Sequence, residues 1–128
     1  MTPDRLTKAA VAALENVKGR DIVVFDVRKL TAMFDRMVIA SGDSSRQVNA
    51  LARNVQNELK AAGAKVYGVE GESNGEWVLV DLGAVLVHIM HPTIRAYYNL
   101  EELWGGAPKA ARAATPRKRA SARTSRSG

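Results

Sequence analysis

The chain has 128 residues and no cysteine, 46% of its residues are hydrophobic, and its formal net charge is +6. This length suits one domain with its own core, and the lack of cysteine excludes disulfides and thiolate metal sites. No apolar run reaches the roughly 18–20 residues that a membrane-spanning helix needs. The N-terminus also lacks the acid-poor composition of a transit peptide, so we expect an untargeted cytoplasmic protein.

The positive charge is concentrated in the C-terminal tail. Residues 105–128 carry seven basic side chains and no acidic one, so subtracting +7 from +6 leaves residues 1–104 at −1. Because the tail lacks aromatic and large aliphatic residues, it cannot bury enough surface to offset the entropy lost on ordering. We predict a folded domain over residues 1–106 and a disordered basic tail over residues 107–128. The tail is either a solubilising extension or an arm that contacts RNA phosphates.

The first part of the chain predicts a helix followed by two strands. Thr2-Pro3-Asp4 combines a capping hydroxyl, a proline at the first helical position and an acid in the first turn, and apolar residues then recur at helical spacing until Gly19. The strands are predicted at residues 21–27, with both faces covered, and at residues 36–41. Three apolar residues of the connection between them are expected to pack inward: Leu30, Met33 and Phe34.

A second helix is predicted after the second strand. Ser44 and Gln47 place a hydroxyl and an amide three residues apart, which allows the helix to cap its own first turn. Apolar residues recur at helical spacing over residues 48–62, and Gly63 ends the helix. A third strand at a sheet edge is predicted over residues 65–69, followed by a polar loop.

Residues 77–104 contain the longest apolar run, both tryptophans and both histidines. Two β-rich runs, at residues 77–81 and 85–90, flank Gly83, which can take the positive φ of a tight turn, so we predict a hairpin. A short helix follows from Pro92. The order of the elements predicts a two-layer α/β sandwich built on a mixed β-sheet.

Alternation along the strands gives the hairpin two different faces. The aliphatic face consists of Val78, Val80, Val85, Val87 and Ile89. The mixed face consists of Trp77, Leu79, Asp81, Leu86, His88 and Met90. Its composition is typical of a covered surface with specific polar contacts, and a Trp at a strand start is a typical interface anchor. For Tyr97 and Trp104, packing of the last helix on the sheet is the simpler interpretation.

The two histidines do not predict a metal site. His88 and His91 are an odd number of residues apart on an extended strand, so their side chains point to opposite faces. We expect His88 to be hydrogen-bonded on the mixed face and His91 to be a strand-end or helix-cap residue. No cofactor and no metal ligand is predicted.

Nucleotidyl transfer is the enzymatic alternative. Gly42-Asp43-Ser44 opens a helix after a strand, where free backbone N–H groups can hold a phosphate. That chemistry also needs two or three carboxylates close together, but Asp26, Asp35 and Asp81 lie singly in separate segments. We therefore predict a capped helix start and no catalytic residue. Asp81 either anchors the hairpin turn or contacts a partner.

Several motifs follow one another in a fixed order: SSRQV at residues 44–48, VEGE at 69–72, WVLVDLG at 77–83, VLVHIM at 85–90 and RAYYNLEELW at 95–104. Together they resemble the ribosomal silencing factor family, also known as the Iojap-like proteins. The resemblance runs in register from about residue 5 to Trp104, and the basic tail lies outside it.

The resemblance implies a nucleotidyltransferase-like α/β fold without catalytic carboxylates. It also implies a non-enzymatic protein that binds ribosomal protein number fourteen of the large ribosomal subunit, on the face that meets the small subunit. Such a protein prevents subunit joining and lowers translation when nutrients are scarce. Family members are often homodimers when free. By motif position, the residues implied to contact the ribosomal protein are Trp77, Asp81, His88, Met90 and Tyr98.

The chain departs from the family pattern after the turn glycine, where the family usually has an acidic residue and this chain has Ala84. Two other functions stay open alongside the one that the resemblance implies. One is a nucleotide-binding or nucleotidyl-transferring enzyme of the same fold. The other makes the basic tail an RNA binder, for which the domain is only a carrier.

Overall fold

The computed structural model describes residues 1–103 and 109–110. Its helices are α1 (Pro3–Asn16), α2 (Ser45–Ala61), α3 (Pro92–Tyr98) and α4 (Leu100–Leu103). Its strands are β1 (Arg20–Asp26), β2 (Arg36–Ser41), β3 (Gly68–Glu70), β4 (Trp77–Asp81), β5 (Val85–Met90) and β6 (Lys109–Ala110). β6 falls inside the tail predicted over residues 107–128. The other tail residues and residues 104–106, which include Trp104, lie outside the described residues.

The strands form one mixed sheet in the order β3-β4-β5-β2-β1-β6. β2 and β5 are parallel, and the other neighbouring strands are antiparallel. α1 and α2 pack on one face, whereas α3 and α4 lie against the other. The predicted α/β architecture on a mixed sheet is therefore confirmed. No helix of the described residues is long and apolar enough to cross a membrane.

The main core lies between the helices α1 and α2 and the aliphatic face of the hairpin. Both predicted caps are present: Thr2 Oγ1 accepts the N–H of Arg5 at 3.2 Å, and Ser44 Oγ accepts that of Gln47 at 3.1 Å. Asn54 of α2 donates to the carbonyl oxygen of α1 residue Ala13 at 2.8 Å. The fully buried side chains of this core include Leu14, Ile22, Leu51, Val55, Leu59, Val78, Val87 and Ile89.

A second, smaller core lies on the mixed face. Its buried residues are Phe25, Val27, Met37, Ile39 and Met90, and the half-buried residues around it are Val23, Phe34, Trp77, Ile94 and Leu100. Residues of β1 occur in both cores, which confirms that both faces of this strand are covered. The mixed face of the hairpin is thus buried at the end of the strands near Met90 and partly exposed at the end near Asp81 and Leu86.

The third strand is shorter than predicted and begins later, at Gly68 rather than at residue 65. In the antiparallel pairing with β4, Gly68 lies opposite Asp81, the last residue of that strand. The chain before Gly68 therefore extends past the end of β4, where the hairpin turns away. Only the Tyr67 N–H still bonds the Asp81 carbonyl, at 2.8 Å. The predicted edge position of the strand is confirmed.

The prediction that the connection between β1 and β2 packs inward is wrong for two of its three residues. Leu30 is 56% exposed and Met33 is 82% exposed, whereas Phe34 is half-buried against the second core. The N–H of Val27 donates to the carbonyl of Asp35 at 3.0 Å, which closes the base of the connection and makes its tip project. Apolar composition alone did not reveal that geometry.

Candidate functional site: an aromatic surface beside the second core

A pair of polar aromatic side chains links the two hairpin strands. The indole Nε1 of Trp77 donates to Nδ1 of His88 at 2.9 Å. Because Nδ1 accepts this bond, the proton of the neutral imidazole lies on Nε2. His88 is 8% exposed and Trp77 is half-buried. The bond holds the indole ring at a fixed angle on the sheet and confirms that His88 is hydrogen-bonded on the mixed face.

Two tyrosines of α3 continue this arrangement outward. The Tyr98 ring lies 4.9 Å from the Trp77 ring between centroids, and Tyr97 meets Tyr98 edge to face at 5.0 Å. Tyr98 is 52% exposed and Tyr97 is 79% exposed. We call this the aromatic surface; it consists of Trp77, Tyr97 and Tyr98 together with the half-exposed Leu79, Asp81 and Leu86 of the hairpin. It presents rigid rings at little entropic cost, as protein-binding surfaces do.

α3 is held in place by a buried arginine. Arg95 is 9% exposed, its Nη1 donates to Ser41 Oγ at 2.9 Å, and its Nε and Nη2 donate to the Glu101 carboxylate at 2.9 and 3.1 Å. His91 caps the start of α3, since its Nδ1 accepts the N–H of Thr93 at 3.3 Å. The predicted cap role of His91 is thus confirmed. Arg95 ties the end of β2, α3 and α4 together beneath the tyrosines.

The loop before β4 sets the position of Trp77. Gly71 has a φ of 92°, and a Cβ at this position would lie 2.1 Å from the carbonyl oxygen of Trp77. The close approach of these two backbone segments therefore requires glycine. At the other side, the carbonyl of Glu76 accepts the N–H of His91 at 2.9 Å. The indole is fixed by its backbone as well as by its hydrogen bond.

Asp81 anchors the hairpin turn. Its Oδ1 accepts the N–H of Gly83 at 2.8 Å, and Gly83 has the predicted positive φ, at 87°. The Tyr67 ring packs on this turn, since a Cβ on Gly83 would lie 2.8 Å from it, and Tyr67 is 60% exposed. Ala84, where the family pattern has an acid, contributes its carbonyl oxygen, which accepts the N–H of Asp35 at 2.7 Å. Although Asp81 bonds the turn, its side chain is still half-exposed at the surface.

The structure brings three of the five residues implied by the resemblance to one surface: Trp77, Asp81 and Tyr98. His88 is buried and accepts the indole N–H of Trp77. Met90 differs, because it is fully buried in the second core and presents no surface to a partner. In the sheet, Met90 lies between Ser41 of β2 and Trp77 of β4. The end of β5 therefore has a neighbouring strand on both sides. Met90 therefore supports the surface from below. Contact with a partner by the other four stays a prediction.

Sequence reasoning did not select Tyr67 and Tyr97 as surface residues. The sequence predicts that Tyr97 packs between the last helix and the sheet, but it is the most exposed of the three described tyrosines. The 3.6-residue period of α3 places buried Arg95 on the opposite side from Tyr97, and this was the available signal. Tyr67 gave no such signal, because its position depends on the hairpin turn.

Burial dominates the electrostatics of the site. It lowers the pKa of His88 from 6.5 to about 4, so the ring is neutral at neutral pH. The neutral ring can accept a hydrogen bond from the indole N–H of Trp77. Among residues 1–103, no group of three or more His, Asp or Glu side chains could hold a metal ion. The chemistry that the surface offers is therefore stacking, burial of apolar area and a few fixed hydrogen bonds.

The buried imidazole predicts a loss of stability in mild acid. Between pH 6.5 and about 4 the unfolded chain protonates His88 while the folded chain does not, so the free energy of unfolding falls as the pH falls. We expect it to be about 2 kcal/mol lower at pH 5 than at pH 7.5. Urea unfolding at the two pH values measures this difference.

His88→Gln keeps an acceptor for the indole but does not titrate, so it should lose most of that pH dependence. His91→Gln, at the start of α3, should keep it. A wild-type chain whose stability does not change between the two pH values would contradict the assignment.

Comparison with known proteins places the chain in a family. A family model described as "Ribosomal silencing factor during starvation" matches residues 1–128. The chain belongs to the ribosomal silencing factor family. It is 54% identical over 106 residues to the protein named ribosomal silencing factor in Chromobacterium violaceum, covering 83% of this chain and 87% of that one. The family resemblance read from the motifs is therefore confirmed.

Two further matches extend this comparison. A crystal structure of a Chromobacterium violaceum protein superposes with a TM-score of 0.82 at 51% identity and covers 90% of this chain and 95% of that one. A more distant mouse protein, named mitochondrial assembly of ribosomal large subunit protein 1, is 33% identical over 97 residues, or 73% of this chain and 42% of that one. The fold is thus shared with a solved structure over most of both chains.

Proposed function

We propose that this chain represses translation by docking the aromatic surface on the large ribosomal subunit. The observation that carries the proposal is the tilted ring contact of Tyr98 with Trp77, which leaves large rings exposed on a rigid base in a chain of the ribosomal silencing factor family. Exposed rings whose position is already fixed lose little entropy on binding, so they make effective anchors.

The partner we propose is ribosomal protein number fourteen of the large subunit, the partner that the family resemblance implies. With the aromatic surface docked there, the bulk of the domain stands where the small subunit would bind. Inhibition is then steric and needs no catalytic group. This role fits nutrient limitation, when lowered translation saves material.

Two features outside the aromatic surface complete the proposal. The basic tail, residues 107–128, acts as an arm that contacts ribosomal RNA by its charge, so its deletion should weaken binding and lower its salt dependence but retain inhibition. Loss of inhibition on deletion of the tail would instead make the tail the functional element.

The free chain forms the homodimer that the resemblance implies. Sedimentation equilibrium at micromolar concentration should give twice the monomer mass.

Subunit joining with purified ribosomal subunits tests the proposal directly. Added chain is expected to reduce the joined-ribosome peak in a sucrose gradient and to co-sediment with the large subunit. Tyr98→Glu should raise the dissociation constant about 30-fold or more, because a half-exposed anchor of about 2 kcal/mol is lost and a charge is placed in the interface. Tyr98 is preferable to Trp77, whose replacement would also disturb the core.

Ala12→Glu is the control, since Ala12 is exposed on α1, which packs on the other face of the sheet from the aromatic surface. It should bind and inhibit like the wild-type chain. Unchanged joining in the presence of the wild-type chain would reject the function, and full inhibition by Tyr98→Glu would reject the surface. Saturable ATP binding that depends on Ser44 would favour the nucleotidyl-transfer alternative, although the Ser44 hydroxyl already accepts the Gln47 N–H.

A further inference from the structure

The outer face of α2 carries a straight row of unpaired cations, which we call the α2 stripe: Arg46, Arg53 and Lys60. All three are exposed, and none makes an ion pair with a described residue. They are seven residues apart, so they lie on one side of the helix at intervals of about 10 Å. The apolar residues that bury α2 against the sheet face the opposite way.

Among the described residues, no carboxylate forms an ion pair with the α2 stripe. A stabilising role for Arg46 and Arg53 within the helix would need acidic partners three or four residues away, whereas Lys60, in the last turn, also complements the helix dipole. The residues at those positions inside α2 are all uncharged: Asn49, Ala50, Gln56 and Asn57. Glu58, the acidic residue of α2, projects about 140° around the helix from the stripe. Asp43, just before the helix, is paired with Arg20 at 2.5 Å.

This charge stands out because the domain as a whole is not basic. Residues 1–104 sum to −1, whereas α2 alone carries three cations and one acid, or +2. Three acids of the chain lie in and beside the loop before β4, at Glu70, Glu72 and Glu76. That loop packs on Ser45 and Asn49 of α2 at Gly75, but none of the three acids forms an ion pair with the stripe. α2 therefore carries a local excess of positive charge within a nearly neutral domain.

We propose that the α2 stripe binds the phosphate backbone of an RNA helix. Two of the three cations are arginines, whose planar fork matches phosphate oxygens, and exposed Asn57 lies between Arg53 and Lys60 with an amide donor for a phosphate or a 2′-hydroxyl. A line of fixed charges fits a continuous line of phosphates better than it fits the scattered carboxylates of a protein surface. The contact depends on charge and shape and carries no sequence specificity.

The stripe lies on the opposite face of the domain from the aromatic surface. The two cannot contact the same patch of a partner, so the stripe is an additional contact that goes beyond the proposed docking. If both operate, the domain is held between a protein on one side and RNA on the other, and their contributions to affinity should add. The stripe can be tested without any ribosome.

The test measures binding of the full chain to a 20-base-pair RNA hairpin over a range of salt concentrations. The stripe variant Arg46→Gln/Arg53→Gln/Lys60→Gln is compared with a charge-matched control, Lys8→Gln/Lys29→Gln/Lys65→Gln, whose exposed lysines lie on three other segments. The tail is present in all three proteins, so its contribution cancels. Each lost phosphate contact lowers the slope of log affinity against log salt by about one.

The stripe variant is expected to lower that slope by about three and to weaken binding at 0.1 M salt about 1,000-fold, while the control changes the slope by less than one. Equal effects of the two variants, or none from either, would overturn the proposal. Polyglutamate of similar length is the second probe. If the stripe variant changes the slope for polyglutamate as much as for RNA, the stripe binds polyanions in general and the proposal is overturned. Because the assay contains no ribosome, its failure leaves the docking proposal untouched.

Discussion

Gly71→Ala is expected to lower the free energy of unfolding by about 3 kcal/mol or more, whereas Gly63→Ala should cost only about 1 kcal/mol. Both glycines have nearly the same positive φ, 92° at Gly71 and 91° at Gly63. They differ in what a side chain would meet. A Cβ on Gly71 would lie 2.1 Å from the Trp77 carbonyl oxygen, but nothing lies within 4 Å of one on Gly63.

The comparison therefore separates the cost of the conformation from the cost of the close approach. The atoms nearest a Cβ on Gly71 all belong to the backbone of Trp77 and Val78, so the clash can be relieved only by moving the start of β4. Urea unfolding measures the two changes, and the near-ultraviolet circular dichroism of the folded chains reports on the aromatic rings. Equal destabilisation by the two alanines would show that the loop adapts and does not position Trp77.

Arg95→Met should lower the free energy of unfolding by about 2–3 kcal/mol. Its hydrogen bond partner Ser41 is 2% exposed, so the hydroxyl would be left buried without a donor, and the Glu101 carboxylate would lose both bonds. Methionine fills much of the space of the arginine stem, so the loss reports on the hydrogen bonds. Because Arg95 joins α3 to α4 and β2, large-subunit binding through Tyr98 should also weaken.

Arg28→Met provides the matched control. Arg28 also makes two bonds to one carboxylate, that of Asp26, at 3.0 and 2.6 Å, but the pair is exposed to solvent. Water replaces these bonds when the arginine is removed, so the variant should be nearly as stable as the wild type. Thermal unfolding of the two variants side by side gives the comparison. A larger loss from Arg28→Met than from Arg95→Met would refute the role assigned to burial.

Binding through the aromatic surface and binding through the α2 stripe depend on different properties of the domain. The aromatic surface depends on rings fixed by backbone contacts and a buried arginine, so it should be sensitive to changes in the fold. The stripe depends only on exposed charges along α2, so it should be sensitive to salt. Variants of the two surfaces can therefore be told apart by their salt dependence even when both weaken large-subunit binding.

Local sequence signals predicted the helices and the hairpin well. The Thr2 and Ser44 caps, the apolar period of α2 and the positive φ of Gly83 each depend on a few neighbouring residues, and each appears in the structure. Strand alternation also separated the aliphatic face of the hairpin from the mixed face. These features follow from chain geometry and side-chain type, which do not need the rest of the molecule.

Features that depend on distant segments were not predictable in the same way. The late start of β3 is due to the end of β4 at Asp81, and the exposure of Met33 is due to the hydrogen bonds that close its loop. The burial of Met90 depends on β2 and Trp77 on either side of it. Each outcome is set by a partner far away in the chain, and the local pattern carries no information about that partner.

The candidate site shows the same division. The sequence by itself determined the family, through ordered motifs, and the side chains that share the mixed face, through strand parity. Only the tertiary structure decided which of them reach solvent: α3 and the second core cover Met90, whereas Tyr97 and Tyr98 project beyond Trp77. Exposure is a property of packed layers, because whether a residue is covered depends on what the other elements place above it.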